Sequence, residues 1–464
     1  MDKPVAEVLG AVSQLLGRCS RGQALFGGTV VLTLVGGCTA SGMKLMPAPA
    51  FVDTEAYEAA AQSAYARSDM SEVLEIFYAS DRSPPETPGS CDYSRVRGDR
   101  LRLGTAKVSV GDPDWSASEL HEHIKAGEQL TMHCQETDEF GALYSTLPPT
   151  EQAGIDAYYS TSMEDPVRAP TVAFARQIDA QMAMSGLQEV TIFVSGLATT
   201  FSESMEQAAG LHEFVLRRGA TVSFAWPVGS SPLSANKDRI NGRVSARSLR
   251  NLLLLLADQT AAERINIIAY SGGADVAAYA LYQLRLSYTG QSPERLRSDL
   301  RLGNVILASP DADYVEFRNM LLDGLLDMAD SFTAYINPSD KVVMFSEKLS
   351  AGAPRLGNPG QVSEVEKQIY RESRKIDFVS PEEGERILGT TDPFGHQYWY
   401  RNPWVSSDVL LRLMTDLPPA QRGLIRQEDR AVWDFPEDYP ARSERLMDRF
   451  LGAGTGEQTS PEPP

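Results

Sequence analysis

Ser271 stands in the run Ala269-Tyr270-Ser271-Gly272-Gly273. A serine hydroxyl is a weak nucleophile until a neighbouring base takes its proton, and a third group must hold that base in the right tautomer. The chain has five histidines, and His396, in Phe394-Gly395-His396-Gln397-Tyr398, is the only one C-terminal to Ser271. When the nucleophile sits on a strand-to-helix turn, the chain order is serine, acid, histidine. Two places offer the acid: Asp340 in Asn337-Pro338-Ser339-Asp340, and Asp311 in Ser309-Pro310-Asp311-Ala312-Asp313. Either carboxylate could instead cap a helix or close a turn. Asp340 is the expected acid and Asp311 the alternative. An oxyanion formed during acyl transfer needs two backbone N–H donors. Gly272 would supply one. The other is expected from Leu197 in the loop Ser195-Gly196-Leu197-Ala198-Thr199-Thr200-Phe201.

Those residues need strands and helices to position them. Apolar, β-rich runs at 190–194, 221–226, 265–269, 304–308, 331–336 and 375–379 alternate with helical stretches at 201–218, 245–258, 274–286 and 314–328. Near-continuous apolar strands joined by helical crossovers imply a mostly parallel sheet covered on both faces. Ligands of such sheets bind beyond the carboxyl ends of the strands, where Ser271, Asp340 and His396 all fall. The pattern Thr200-x-x-Glu203 predicts a capping box. Ala269 and Gly273 suit a turn in which strand and helix nearly touch. Upstream, strand signals at 73–78, 101–110 and 130–133 predict a β-rich extension over 71–167. The α/β core is expected over 168–417, followed by a C-terminal extension, 418–464, with a polar, disordered tail.

Several ordered blocks resemble the bacterial α/β-hydrolase family of unknown function, whose members are esterase- or lipase-like and often carry lipoprotein signals. The blocks are Leu45-Met46-Pro47-Ala48-Pro49, Ile76-Phe77-Tyr78-Ala79-Ser80-Asp81-Arg82, Phe224-Ala225-Trp226-Pro227, Ala308-Ser309-Pro310-Asp311, the stretch through Asp340, and Gly395-His396-Gln397-Tyr398. The resemblance implies an α/β-hydrolase fold with Ser271, Asp340 and His396 as catalytic triad. The chain departs from the family at three places. Ser195 stands where histidine is common, Ala198 where asparagine is common, and Tyr270 where histidine usually precedes the nucleophile. Backbone donors do not depend on those side chains.

Arg18 and Arg21 precede an uncharged stretch from Gly22 to Met43 whose apolar part, Ala24 to Val35, is too short for a confident span. It suits a secretory signal, and Val35-Gly36-Gly37-Cys38 resembles a lipobox. The reading is a signal peptide over 1–38, lipidation at Cys38, a tether over 39–70, and a body outside the cytoplasm, in the periplasm or cell envelope, held to a membrane by its lipid. Beyond Cys38 only Cys91 and Cys134 remain, and in an oxidising compartment they could pair. The net charge of −19 argues against nucleic acid as a partner. His121-Glu122-His123 with His133-Cys134 matches no tight zinc spacing and reads as a solvated polar face, so neither a metal nor a cofactor is expected. The function expected is hydrolysis of a carboxylic ester or thioester, small or lipidic, through an acyl-enzyme on Ser271. The alternatives are a scaffold that kept the fold and lost the chemistry, and an acyltransferase.

Overall fold

The computed structural model describes residues 42–67, 73–112, 114–144, 168–230, 234–359, 366–368, 375–389, 392–427 and 431–452. The proposed signal peptide, Cys38 and the C-terminal tail lie outside them. Within them one twelve-stranded sheet runs through the molecule. Its strands are β1 (Met43–Lys44), β2 (Val73–Arg82), β3 (Arg97–Val110), β4 (Thr131–Tyr144), β5 (Glu189–Val194), β6 (Ala220–Phe224), β7 (Arg264–Tyr270), β8 (Leu302–Ala308), β9 (Ser331–Tyr335), β10 (Ile376–Val379), β11 (Ile425–Gln427) and β12 (Val432–Asp434). The spatial order is β1-β4-β3-β2-β6-β5-β7-β8-β9-β10-β12-β11. Pairing is parallel from β2 to β12 and antiparallel at both ends. With its flanking helices this is an α/β-hydrolase fold. The β-rich N-terminal extension is built into it: β2 pairs directly with β6, Phe77 opposite Val222.

The helices are α1 (Glu55–Arg67), α2 (Ala117–Lys125), α3 (Arg168–Ser185), α4 (Phe201–Phe214), α5 (Ala235–Gln259), α6 (Gly272–Ser287), α7 (Pro293–Leu300), α8 (Tyr314–Leu322), α9 (Lys341–Leu349), α10 (Glu382–Leu388), α11 (Tyr398–Arg401), α12 (Pro403–Met414) and α13 (Tyr439–Gly452). The sheet divides the core into two layers. Ile265, Ile267 and Ala269 of β7 pack with Leu249, Leu252 and Leu253 of α5 and Leu281 of α6. Ile268 and Tyr270 face the other way, toward Met205 of α4 and Val405 and Val409 of α12. Successive strand residues point to opposite faces, so a strand buried on both sides is apolar along most of its length, and its one buried polar residue here, Asn266, is hydrogen-bonded to Glu189 and to the Asn304 N–H.

Four expectations need correction. The helix after Thr200 stops at Phe214, not Arg218, because Leu216 and Arg217 adopt left-handed backbone conformations before Gly219. The helix from Tyr314 ends at Leu322. Gly324, also left-handed, separates it from a short 3-10 turn, Leu325–Asp327. Over 42–67 the supposed tether is packed: β1 pairs with β4, and Leu45, Met46, Phe51 and Val52 are buried. His121 is buried against the Tyr65 ring rather than solvated, while His123 stacks on Trp115 and pairs with Glu128 at 2.9 Å. Cys91 and Cys134 form a disulfide across 6.1 Å between Cα atoms. No helix among the described residues is long and apolar enough to cross a membrane.

Candidate active site

β7 runs straight into α6, and the turn between them is Ser271. Its backbone has φ 53° and ψ −122°, a region that costs a non-glycine residue about 1–3 kcal/mol. The surroundings fix it there: the Ser271 N–H donates to the Ala308 carbonyl at 2.9 Å, and the Ser271 carbonyl accepts from Asp311 N–H at 3.0 Å and Ala274 N–H at 3.1 Å. The need for a small residue at position 273 is literal. A Cβ there would lie 2.5 Å from the Ser195 carbonyl oxygen and 2.6 Å from that of Val194.

His396 sits in the loop before α11. One Asp392 carboxylate oxygen accepts from the N–H of His396 at 2.6 Å and Gln397 at 2.5 Å, and the other from Phe394 at 3.1 Å. Gly395 takes a left-handed turn with its carbonyl held by Asn337 Nδ2 at 3.2 Å. Ser309 Oγ donates to the His396 carbonyl at 2.6 Å. So clamped, the imidazole places Nε2 2.9 Å from Ser271 Oγ and Nδ1 2.7 Å from Asp340 Oδ2. A carboxylate only accepts, so Nδ1 carries the proton and Nε2 is free to accept from the serine.

Asp340 is fully buried, and its two oxygens make separate contacts. Oδ1 caps α9, accepting from Val342 N–H at 2.9 Å and Val343 N–H at 3.0 Å, while Oδ2 faces the imidazole. Asp311, the alternative acid, is taken up elsewhere: it pairs with buried Arg355 at 2.7 Å and accepts from Ser346 Oγ at 2.8 Å. Burial alone would lower the His396 pKa. The carboxylates of Asp340, Asp311 and Asp392 outweigh it and hold the pKa above its ordinary value.

A serine on a strand-to-helix elbow is thus hydrogen-bonded to a histidine, and that histidine to a carboxylate. A family model described as an alpha/beta hydrolase of unknown function (DUF900) matches residues 171–413, just over half of the chain. The chain belongs to this family. No curated protein matches the chain. Among solved structures, a lipase-esterase related protein from Clostridium acetobutylicum ATCC 824 is similar at 10% identity, over 49% of this chain and 94% of that one, with a TM-score of 0.27, too slight a likeness to argue from.

In this α/β hydrolase the loop after β5 lies against the elbow. A Cβ on Gly272 would meet Leu197 Cγ at 2.7 Å, and one on Gly196 would meet Ser271 Cβ at 3.0 Å. The N–H groups of Leu197 and Gly272 have no backbone acceptor among the described residues. Ala198 next to them takes a left-handed conformation with φ 60°. Three groups fix this loop. Trp226 Nε1 donates to the Ser195 carbonyl at 2.7 Å, Arg95 Nη1 to the Ala198 carbonyl at 2.8 Å, and Arg82 Nη2 to the Thr199 carbonyl at 2.8 Å. Arg82 is wholly buried, and desolvation pushes its pKa down to about 9. Tyr270 lays its ring 5.2 Å from that of His396 and 5.3 Å from that of Trp399.

The residues named in advance, Ser271, His396, Asp340, Leu197 and Gly272, therefore come together. Asp392, Arg82 and Ser309 had not been singled out as supports. For Asp392 the usable signal was an Asp-Pro pair just before Gly395-His396. Among the described residues no group of three His, Cys, Asp or Glu could hold a metal ion.

Proposed function

We propose that the protein hydrolyses carboxylic esters or thioesters through an acyl-enzyme. The observation that carries this reading is the unbroken hydrogen-bonded chain Ser271 Oγ, His396 Nε2, His396 Nδ1, Asp340 Oδ2. Ser271 Oγ attacks the carbonyl carbon as its proton passes to Nε2. The carbonyl π pair moves onto oxygen, which the N–H groups of Leu197 and Gly272 receive. The pair returns, the bond to the alcohol or thiol breaks, and the leaving group takes the proton from Nε2. Water, losing a proton to the same nitrogen, then frees the acid and restores Ser271. Asp340 stays ionised throughout and stabilises the imidazolium.

A bare scaffold is the weaker reading, because a buried base, acid and strained serine cost stability that a scaffold has no reason to keep. The test is turnover of a short 4-nitrophenyl ester. Hydrolysis that Ser271→Ala removes supports the enzyme, whereas hydrolysis that persists in Ser271→Ala places the chemistry elsewhere. As to location, we propose that Cys38 carries a lipid and that the body stands outside the cytoplasm. The disulfide between Cys91 and Cys134 favours an oxidising compartment.

A further inference from the structure

A water-sized cavity of about 20 Å³ touches Gly272 and Leu197, and a larger one of about 220 Å³ shares Arg239, Asp275 and Arg355 with it as walls. Charged side chains line both, and the smaller one reaches the residue that follows Ser271. Five carboxylates and three guanidiniums line them, so a count of charges does not fix what binds there. The pairing does. Arg355 is taken by Asp311 at 2.7 Å with Asp313 at 3.9 Å. Arg243 is taken by Glu316 at 2.5 Å with Asp275 at 3.9 Å. The Asp238 carboxylate accepts from Gly229 N–H at 2.8 Å and Ser234 Oγ at 2.6 Å. Arg239 differs: among the described residues it has no carboxylate within ion-pair reach, and its partner is the uncharged hydroxyl of Ser350. Burial and the nearby Arg355 guanidinium lower its pKa, against the opposing charges of Asp311, Asp275 and Asp313, which lie beyond ion-pair reach; a bound anion would offset the cost that remains. A long apolar acyl chain laid along these walls would desolvate charges without compensation.

We infer that Arg239 binds an anionic group on the substrate, so that the preferred esters carry a carboxylate or similar anion a few bonds from the scissile carbonyl. This rests on the serine-hydrolase reading and adds a substrate class to it. The planar guanidinium offers a forked pair of donors matched to a carboxylate.

The experiment compares 4-nitrophenyl hemiglutarate with 4-nitrophenyl pentanoate, which has the same chain length without the charge, after subtraction of spontaneous hydrolysis. A charge-assisted bond favours the anionic ester in kcat/KM by about tenfold or more. Arg239→Gln is expected to bring the ratio of the two esters close to one, chiefly through KM, and Arg239→Lys to keep part of it. The ratio is independent of how much of each variant folds. A wild-type ratio at or below one, or a preference that survives Arg239→Gln, overturns the role of Arg239 while leaving ester hydrolysis standing. Failure to hydrolyse either ester overturns both readings.

Discussion

At the scale of single residues, the two candidate acids are expected to separate cleanly. Asp340→Asn leaves the cap of α9 in reach but offers the imidazole the wrong partner, and ester turnover is expected to fall by about 10⁴-fold, the size of the equivalent loss in a protease triad. Asp311→Asn strands the buried Arg355 guanidinium and is expected to cost about 3 kcal/mol of stability, read as a lower denaturant midpoint, with a far smaller loss of turnover per folded molecule. His396 must be neutral to accept the serine proton. Its carboxylate neighbours hold its pKa above the usual 6.5 against the opposing effect of burial, so activity is expected to fall as pH drops through a value above 6.5. Removing the Asp340 charge is expected to move that limb to lower pH. Stability runs the opposite way. The raised pKa stabilises the fold fully below the unfolded value and ceases to do so as pH rises through the folded one, so the protein gains activity over the window in which it loses this contribution. An acid limb below 6.5 would contradict this electrostatic account of His396.

At the scale of elements, the disulfide joins the loop after β2 to β4 across 43 residues. Closing a loop of that length stabilises by about 4 kcal/mol in the chain-entropy view. Replacing both Cys91 and Cys134 by serine is expected to lower the melting temperature while leaving the elbow intact; an unchanged melting temperature would mean the bridge adds nothing. The elements that position the site were legible because each carries a local signal. β7 is apolar from Ile267 to Ala269, and Thr200 with Glu203 forms the expected reciprocal cap, at 3.1 Å and 2.7 Å. What stayed hidden depends on distant partners. The first turns of α5, Ala235–Arg243, are polar and contain Gly242, a weak helix former. They are held by Asp238, whose bond to Gly229 spans a loop. β4 continues to Tyr144 through Gln135-Glu136-Thr137-Asp138-Glu139, a run with no apolar alternation. Its pairing with β3 makes it a strand. Arg82 escaped for the same reason, since its acceptors, the Trp226 and Thr199 carbonyls, lie more than a hundred residues along the chain; among the described residues Asp392 binds only near neighbours, Phe394, His396 and Gln397, and its local signal was no more than an Asp-Pro pair.

At the scale of the whole molecule, one sheet carries both extensions and the hydrolase core. The C-terminal part is held to α12 by Arg422, whose guanidinium grips the Asp408 carboxylate at 2.8 Å and 3.0 Å, with both residues fully buried. The chain ahead of β1 is where attachment to a membrane is proposed. Cys38→Ser is expected to abolish lipid labelling and leave unprocessed precursor; a wild-type protein that takes up no lipid would remove the anchor without touching the chemistry. The proposed chemistry itself stands on Ser271 being a nucleophile activated by His396. The most direct measurement is labelling of the folded wild-type protein with a small fluorophosphonate, followed by mass spectrometry of the peptide that holds the label. The expected result is one adduct, on Ser271, lost in Ser271→Ala and in His396→Ala. A folded wild-type protein that takes no label, or takes it on another residue, would contradict the account.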